Sequence, residues 1–408
     1  MELVLQFGYG MIDHCRSLIK GWGGGTVVLS PRDLSPHQLL RVATDITAAG
    51  GTTLVDPQFY LPTADHERLL SHDYWPRDYD SGTFWSGTEL RALLTGLLAL
   101  NRSLGTSAVL LPGLFAEKVD DDWLARTKLT IDEATAAAPS EVMLASIALG
   151  ADTLRSDDDV DRILAAAEDW NVPGVYLVCE HPGGDYLVRD ASWMANILDL
   201  VAGLRVKGKT VMLGYSSHQL LAAAAAGADA IASGTWMNVR SFPPDKFRAQ
   251  YEDEIKQRTV WYYCPAALSE FKIPFLDIAK KQGALEAMEP PPLFTNQYSQ
   301  VLFAGAQPSS VGWTEQAAFR HYLSCLRTQV GNAAYDGFDE TVDRQVSTLD
   351  AAESLLEELH LLGVRGQFRD FSDSIDVNRA ALAVLRKTRG PVLRRRWSGL
   401  RASRPCWR

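Results

Sequence analysis

The feature that most constrains this chain is an alternation. From residue 1 to about 240, a short β-rich run ends in polar or Gly/Pro residues and a helical stretch follows, repeatedly. The runs are 3–7, 26–29, 53–55, 108–111, 142–147, 174–178, 210–213 and 228–232. Most are near-continuous apolar segments, as strands buried on both faces require. Amphipathic segments such as 36–49, 90–104, 157–171 and 191–206 lie between them. This repeat predicts an α/β fold, a parallel (β/α)8 TIM barrel over residues 1–245. The 408 residues suffice for a barrel of about 250 residues plus an accessory region. A doubly wound open sheet would place a Gly-rich phosphate loop after the first strand. Here the glycine-rich stretch 21–25 precedes the second strand instead.

After about residue 245 the pattern changes. Segments 246–257, 265–281, 314–330, 339–362 and 375–387 read as helices, which predicts a helical extension over 246–385. From Arg386 onward the chain carries Arg386, Lys387, Arg389, Arg394, Arg395, Arg396, Arg401, Arg404 and Arg408 and no acidic residue. Residues 386–408 therefore read as a disordered basic tail, either simply solvated or meeting an anionic partner. The whole-chain charge of −10 excludes a general nucleic-acid footprint over the surface.

No apolar run approaches the roughly 18 residues of a membrane span. The start of the chain lacks the basic-then-apolar pattern of a signal peptide. The five cysteines, Cys15, Cys179, Cys264, Cys325 and Cys406, are odd in number and widely spaced. That usage fits reduced thiols in the cytoplasm and no disulfide framework.

In such barrels the working residues sit at the C-terminal strand ends. Asp56 directly follows Thr-Thr-Leu-Val. A carboxylate there is costly unless it is hydrogen-bonded or paired. It is a candidate to hold a ligand's N–H groups or to act as a general acid or base; the plainer reading is a cap on the next loop. Glu180 ends another buried strand and has the same two readings. Gln58, Phe59 and Tyr60 follow Asp56, and Phe59 or Tyr60 either stacks on a ligand or fills the core. Tyr215 and His218 end the seventh run. His181 and His218 are candidates to share a proton or bind a metal, with a structural hydrogen bond as the default. Ser216 and Ser217 open a helix, where an N-cap is the default and a phosphate or another anion the alternative. Arg32 and Asp33 are expected to pair with each other. The long connection 60–89 leaves the same face. Its aromatics Tyr74, Trp75, Tyr79, Phe84 and Trp85 either stack on a ring or pack the loop down.

The sequence has no Cys-x-x-Cys pair, no His-Glu-x-x-His, no Gly-x-Ser-x-Gly elbow and no Walker loop, so no metal and no cofactor are expected. A barrel lyase or aldolase would want a strand-end lysine, and no predicted strand end offers one.

Several landmarks resemble the tRNA-guanine transglycosylase superfamily in order and spacing. Asp56-Pro57-Gln58-Phe59-Tyr60 is similar to that family's Asp-Ser-Gly-Gly-Phe-Gln. The stretch from Gly174 to Glu180 resembles its Gly-Leu-Ala-Val-Gly-Glu. Gly227-Ala228-Asp229 through Met237-Asn238-Val239-Arg240 resembles its Gly-Val-Asp and Met-Pro-Thr-Arg turn. Phe319-Arg320-His321-Tyr322-Leu323 is similar to its last helix. The resemblance spans about residues 1–330.

It implies a pocket for a purine or 7-deazaguanine base. Asp56 would hold the donor edge, Phe59 or Tyr60 would stack, and Glu180 would contact the 7-position or the exocyclic amine. Arg240 would meet a phosphate of a nucleic acid; Arg394, Arg395 and Arg396 of the tail are candidates for the same partner on their charge, outside the span of the resemblance. A homodimer or a partner protein is implied as well. The departures are chemical. The family's nucleophilic aspartate falls at Ala232, which cannot attack an anomeric carbon. Its second base-contacting aspartate falls near Pro112-Gly113. Of its zinc ligands only Cys264 remains. The resemblance therefore leaves two expectations. One is base binding or exchange, with Asp33 or Asp229 as substitute carboxylates. The other is a non-catalytic binding or scaffold subunit, of the kind found in 7-deazaguanine-linked antiphage clusters.

Overall fold

The computed structural model describes residues 1–61, 66–77, 79, 80, 82–248 and 259–408. Eleven strands occur among them: β1 Glu2–Gln6, β2 Thr26–Leu29, β3 Thr52–Val55, β4 Val109–Leu110, β5 Phe115–Ala116, β6 Met143–Leu149, β7 Gly174–Cys179, β8 Thr210–Gly214, β9 Ala230–Ser233, β10 Trp261–Cys264 and β11 Ser269–Lys272. The eight expected runs are all strands, each within a residue or two of its expected bounds. β5 is an addition: two residues that pair with the end of β6, Phe115 opposite Ala148.

The strands follow the order β3-β2-β1-β9-β8-β7-β6-β4, every pair parallel. β1 is paired on both sides, with Leu5 opposite Val27 and Val4 opposite Ala232. The ends of this path meet. Ser107 N donates to Thr53 O (3.1 Å), and Phe115 N donates to Tyr60 O (3.0 Å). The sheet therefore curls into a barrel whose seam lies between β3 and β4. Helices cover its outside, as parallel strands demand. Ser35 begins one of them, Pro36–Ala48, with a capping box to Gln38 and proline in the first turn.

The helix Ala191–Val206 is apolar nearly all round, burying Trp193, Met194, Ile197, Leu198, Leu200 and Val201. Such a helix needs cover on both sides. The barrel supplies one side, and the extension helix Ser372–Thr388 supplies the other.

The extension departs from its expectation in one place. Residues 261–272 form the antiparallel hairpin of β10 and β11, and the helix there is only Ile273–Lys281. Tyr262 and Tyr263 favour extended backbone, and the hairpin buries both. The expected helix over 246–257 falls mostly outside the described residues.

The basic tail is a correction. Residues 390–402 form a helix docked on the body, not a disordered segment. Trp397 and Trp407 are buried and donate to Tyr335 O and Glu2 Oε1. The arginines meet acids on other elements: Arg389 with Asp199, Arg394 with Asp339, and Arg386 with Asp343. The two tryptophans supply the apolar anchorage that a charge count overlooks.

Among the described residues no helix is long and apolar enough to cross a membrane. All five cysteines are free.

Candidate functional site

Asp56 ends β3 at the barrel mouth and is fully buried. Its Oδ1 accepts from Gln58 N (3.0 Å), and the Tyr60 hydroxyl bridges both oxygens (2.8 and 2.9 Å). Its Oδ2 also accepts from the Tyr215 hydroxyl at 2.8 Å. Burial pushes the Asp56 carboxyl up to about 6, and the three donors only partly oppose it.

The network runs on from there. Gln58 Nε2 donates to the Tyr215 hydroxyl (3.1 Å) and to Ser30 Oγ (2.8 Å). Ser30 Oγ donates to Asp33 Oδ2 at 2.7 Å. Arg32 N closes the loop onto Gln58 Oε1 at 2.8 Å. Gln58 and Tyr215 both carry positive φ, 56° and 51°. Left-handed backbone is costly in a non-glycine residue and gathers at sites that need a fixed geometry. Here it brings the Gln58 backbone N–H and the Tyr215 hydroxyl onto one carboxylate.

An aromatic layer roofs this network. The Phe242 ring centre is 5.0 Å from Tyr60, 5.3 Å from Tyr215 and 5.7 Å from Phe247. The Phe242 backbone also bridges to Glu180. Phe242 thus stands between the Asp56 tyrosines and Glu180. Glu180 is half-buried at the end of β7, and its carboxylate accepts from Ala151 N at 3.0 Å. Burial raises its carboxyl, and Asp245, Asp152 and Glu117 add to the effect. Below the roof, Tyr176 fills the lumen and donates to Gln6 Oε1 at 2.8 Å. A side-chain carbon at Gly214 would meet the Tyr176 hydroxyl at 2.4 Å.

Several expected site residues lie elsewhere. Phe59 is buried among the loop aromatics, its ring centre 4.8 Å from Trp75 and 5.2 Å from Phe84. It packs the long connection down, so the stacking role expected of it does not match its place. His218 is enclosed by Tyr186, Tyr263, Tyr322 and Phe371. Burial lowers its imidazole to about 4, which keeps it neutral. His181 Nδ1 bonds the Asp185 carbonyl at 2.8 Å. Ser217 does cap its helix, accepting from Gln219 N.

Arg240 is buried and spent within the protein. It donates to Glu270 Oε1 (3.0 Å), and its guanidinium carbon lies over Tyr322, 3.5 Å from the ring centre. Arg369 Nη1 donates to Glu270 Oε2 (2.7 Å), and Tyr186 donates to Oε1 (2.9 Å). Burial raises the Glu270 carboxyl, but Arg369 and Arg240 outweigh it and hold it down at about 2. Among the tail arginines, Arg394 pairs with Asp339 while Arg395 and Arg396 stay on the surface.

The substitute carboxylates separate clearly. Asp229 precedes β9, at the opposite end of the barrel from the mouth, and pairs with Arg205 at 2.8 Å. Asp33 belongs to the mouth network. Ala232 lies within β9 opposite Val4. At position 113 a side-chain carbon would meet Ser146 O at 2.5 Å, so the fold has no room for an aspartate there. Cys264 donates to Met288 O across 3.6 Å. No group of three His, Cys, Asp or Glu placed to hold a metal occurs among the described residues.

Sequence reasoning missed Lys246, Asn238, Phe242 and Phe247, which follow β9 and fold back over the mouth. The one available signal was the pair Phe242 and Phe247, with Lys246 between them, flanking two prolines beyond a barrel's last strand.

The mouth defines the class: a parallel barrel with linked, buried carboxylates at its C-terminal strand ends. No protein-family model matches the chain, and no curated protein matches it. Among solved structures it is similar to a glycoside hydrolase family 10 xylanase of Thermobacillus composti, at 10% identity and TM-score 0.39, covering 61% of this chain and 89% of that one. A 3-dehydroquinate dehydratase of Aquifex aeolicus aligns at 10% identity and TM-score 0.30, covering 52% and 88%. Xylanase 10C of Cellvibrio japonicus aligns at 11% and 0.32, covering 79% and 70%. The barrel assignment rests on strand order and register, independently of these likenesses.

Proposed function

We propose that this chain binds a purine-like base, of the guanine or 7-deazaguanine kind, at the Asp56 end of its barrel. One observation carries the reading. Two hydroxyl donors, Tyr60 and Tyr215, occupy the two oxygens of one buried carboxylate. A guanine edge presents the same pattern, two adjacent N–H donors, and would replace them. Binding requires the roof of Phe242 and Phe247 to lift. The ordered motifs that resemble tRNA-guanine transglycosylases support the same substrate class. The acceptor, if the base is exchanged, is a nucleic acid or another polymer, and the setting is cytoplasmic.

A second reading is favoured by Ala232 and by the self-satisfied Asp56. It is a non-catalytic, transglycosylase-like subunit that works with a partner, as in 7-deazaguanine-linked antiphage defence.

Calorimetric titration with guanine and a panel of 7-deazaguanines tests the base site. Saturable binding that weakens more than about tenfold, roughly 1.4 kcal/mol, in Asp56→Asn supports it. Unchanged affinity in a folded Asp56→Asn removes Asp56 from the site. No binding by the wild-type chain overturns the base reading.

A further inference from the structure

The amine that no predicted strand end offers is present in the fold. Lys246 comes from the turn Pro244–Phe247 beyond the last barrel strand, and its side chain is 1% exposed. Nζ lies 3.9 Å from Asp33 Oδ2, 3.4 Å from Asn238 O and 5.9 Å from the Tyr215 ring centre. Asp33 is in turn joined to Asp56 through Ser30, Gln58 and Tyr215. A buried amine thus faces, across a 3.9 Å ion pair with Asp33, a hydrogen-bonded network of two carboxyls and two phenols, at the end of the barrel where barrel enzymes do chemistry.

We propose that Lys246 is a nucleophile toward small carbonyl compounds and forms an imine at the barrel mouth. The inference goes beyond the base-binding reading and does not depend on it. The class that fits best is a 2-oxo acid. Its carbonyl would meet Lys246, and its carboxylate would share the Arg32 guanidinium, whose Nε donates to the Lys246 carbonyl at 2.7 Å and whose Nη1 stands 3.5 Å from Asp33.

The step balances without an oxidant or reductant. Asp33 accepts a proton from the lysine ammonium. The freed nitrogen lone pair forms a bond to the carbonyl carbon, the C=O π pair moves to oxygen, and oxygen takes that proton. The carbinolamine then loses its hydroxyl as water. The second proton comes from the nitrogen by way of the same carboxyl, and the nitrogen lone pair closes the C=N bond. Lysine ammonium plus carbonyl becomes protonated imine plus water, with charge conserved.

Reductive trapping tests this directly. The full-length protein is incubated with pyruvate or glyoxylate and cyanoborohydride, and the modified lysines are mapped by peptide mass. Exposure alone would label surface lysines such as Lys20 and Lys387 first. The proposal requires Lys246 to be labelled about tenfold faster than these, and Asp33→Asn to slow that labelling. Lys246→Arg should remove the fast adduct and leave the slow ones. Labelling that follows exposure, with Lys246 last or unmodified, overturns the proposal. Guanine titration is a separate measurement, so either reading can fall alone.

Discussion

Asp56 and Glu270 are both buried carboxylates that accept from three groups, yet burial prevails at one and is overcome at the other. The Asp56 partners are two phenols and a backbone amide, all neutral. Its carboxyl is pushed up to about 6. The Glu270 partners include two guanidiniums, and its carboxyl is held at about 2. Neutral donors favour the ionised form only modestly, whereas a cation nearby favours it strongly. The difference sets the two carboxyls apart in protonation. Asp56 can exchange a proton near neutral pH. Glu270 cannot, and instead ties Arg240 of the barrel and Arg369 of the extension to β11.

The largest expected effect breaks the Glu270 side. Glu270→Gln leaves two buried guanidiniums without their counter-charge. It should cost about 3–5 kcal/mol, read as a drop in thermal or denaturant midpoint. A loss below about 1 kcal/mol would mean that the arginines find other partners. The pH signs oppose each other. The depressed Glu270 contributes stability above its unfolded value, and that contribution is lost as pH falls toward 2. The raised Asp56 lets the folded state keep a proton that the unfolded chain releases. Its effect is therefore a loss of stability as pH rises from about 4 to 6, at most about 1.4 kcal/mol per unit.

A smaller change sharpens the Asp56 side. Tyr215→Phe keeps the ring against Phe242 but removes one donor to Oδ2 and the acceptor for Gln58. It should cost about 0.5–1.5 kcal/mol and raise the Asp56 carboxyl further. Equal stability with an unmoved Asp56 titration would show that Tyr215 is filler.

The barrel was legible because its signal is local. Strands buried on both faces must be apolar, and runs such as Gly174–Cys179 are apolar residue by residue. Asp56 was legible too, as a charged residue directly after such a run. What stayed hidden depends on distant contacts. Arg240, Glu270 and Arg369 come from three separate elements, and no spacing in the sequence announces their meeting. Arg240 looks like a surface phosphate ligand until the hairpin supplies its carboxylate. The tail looked solvated because charge dominates its composition, while Trp397 and Trp407 decide its position. Lys246 was read as part of a helix past the barrel, because a chain that doubles back over the mouth leaves no periodic trace.

The most direct test of the comparison is a carboxyl ¹³C NMR titration of Asp56, assigned by difference from Asp56→Asn. The structure predicts an inflection near pH 6 that disappears in the variant. An Asp56 carboxyl that stays ionised down to about pH 4, its ordinary range, would contradict the account and leave Asp56 a structural anchor like Glu270.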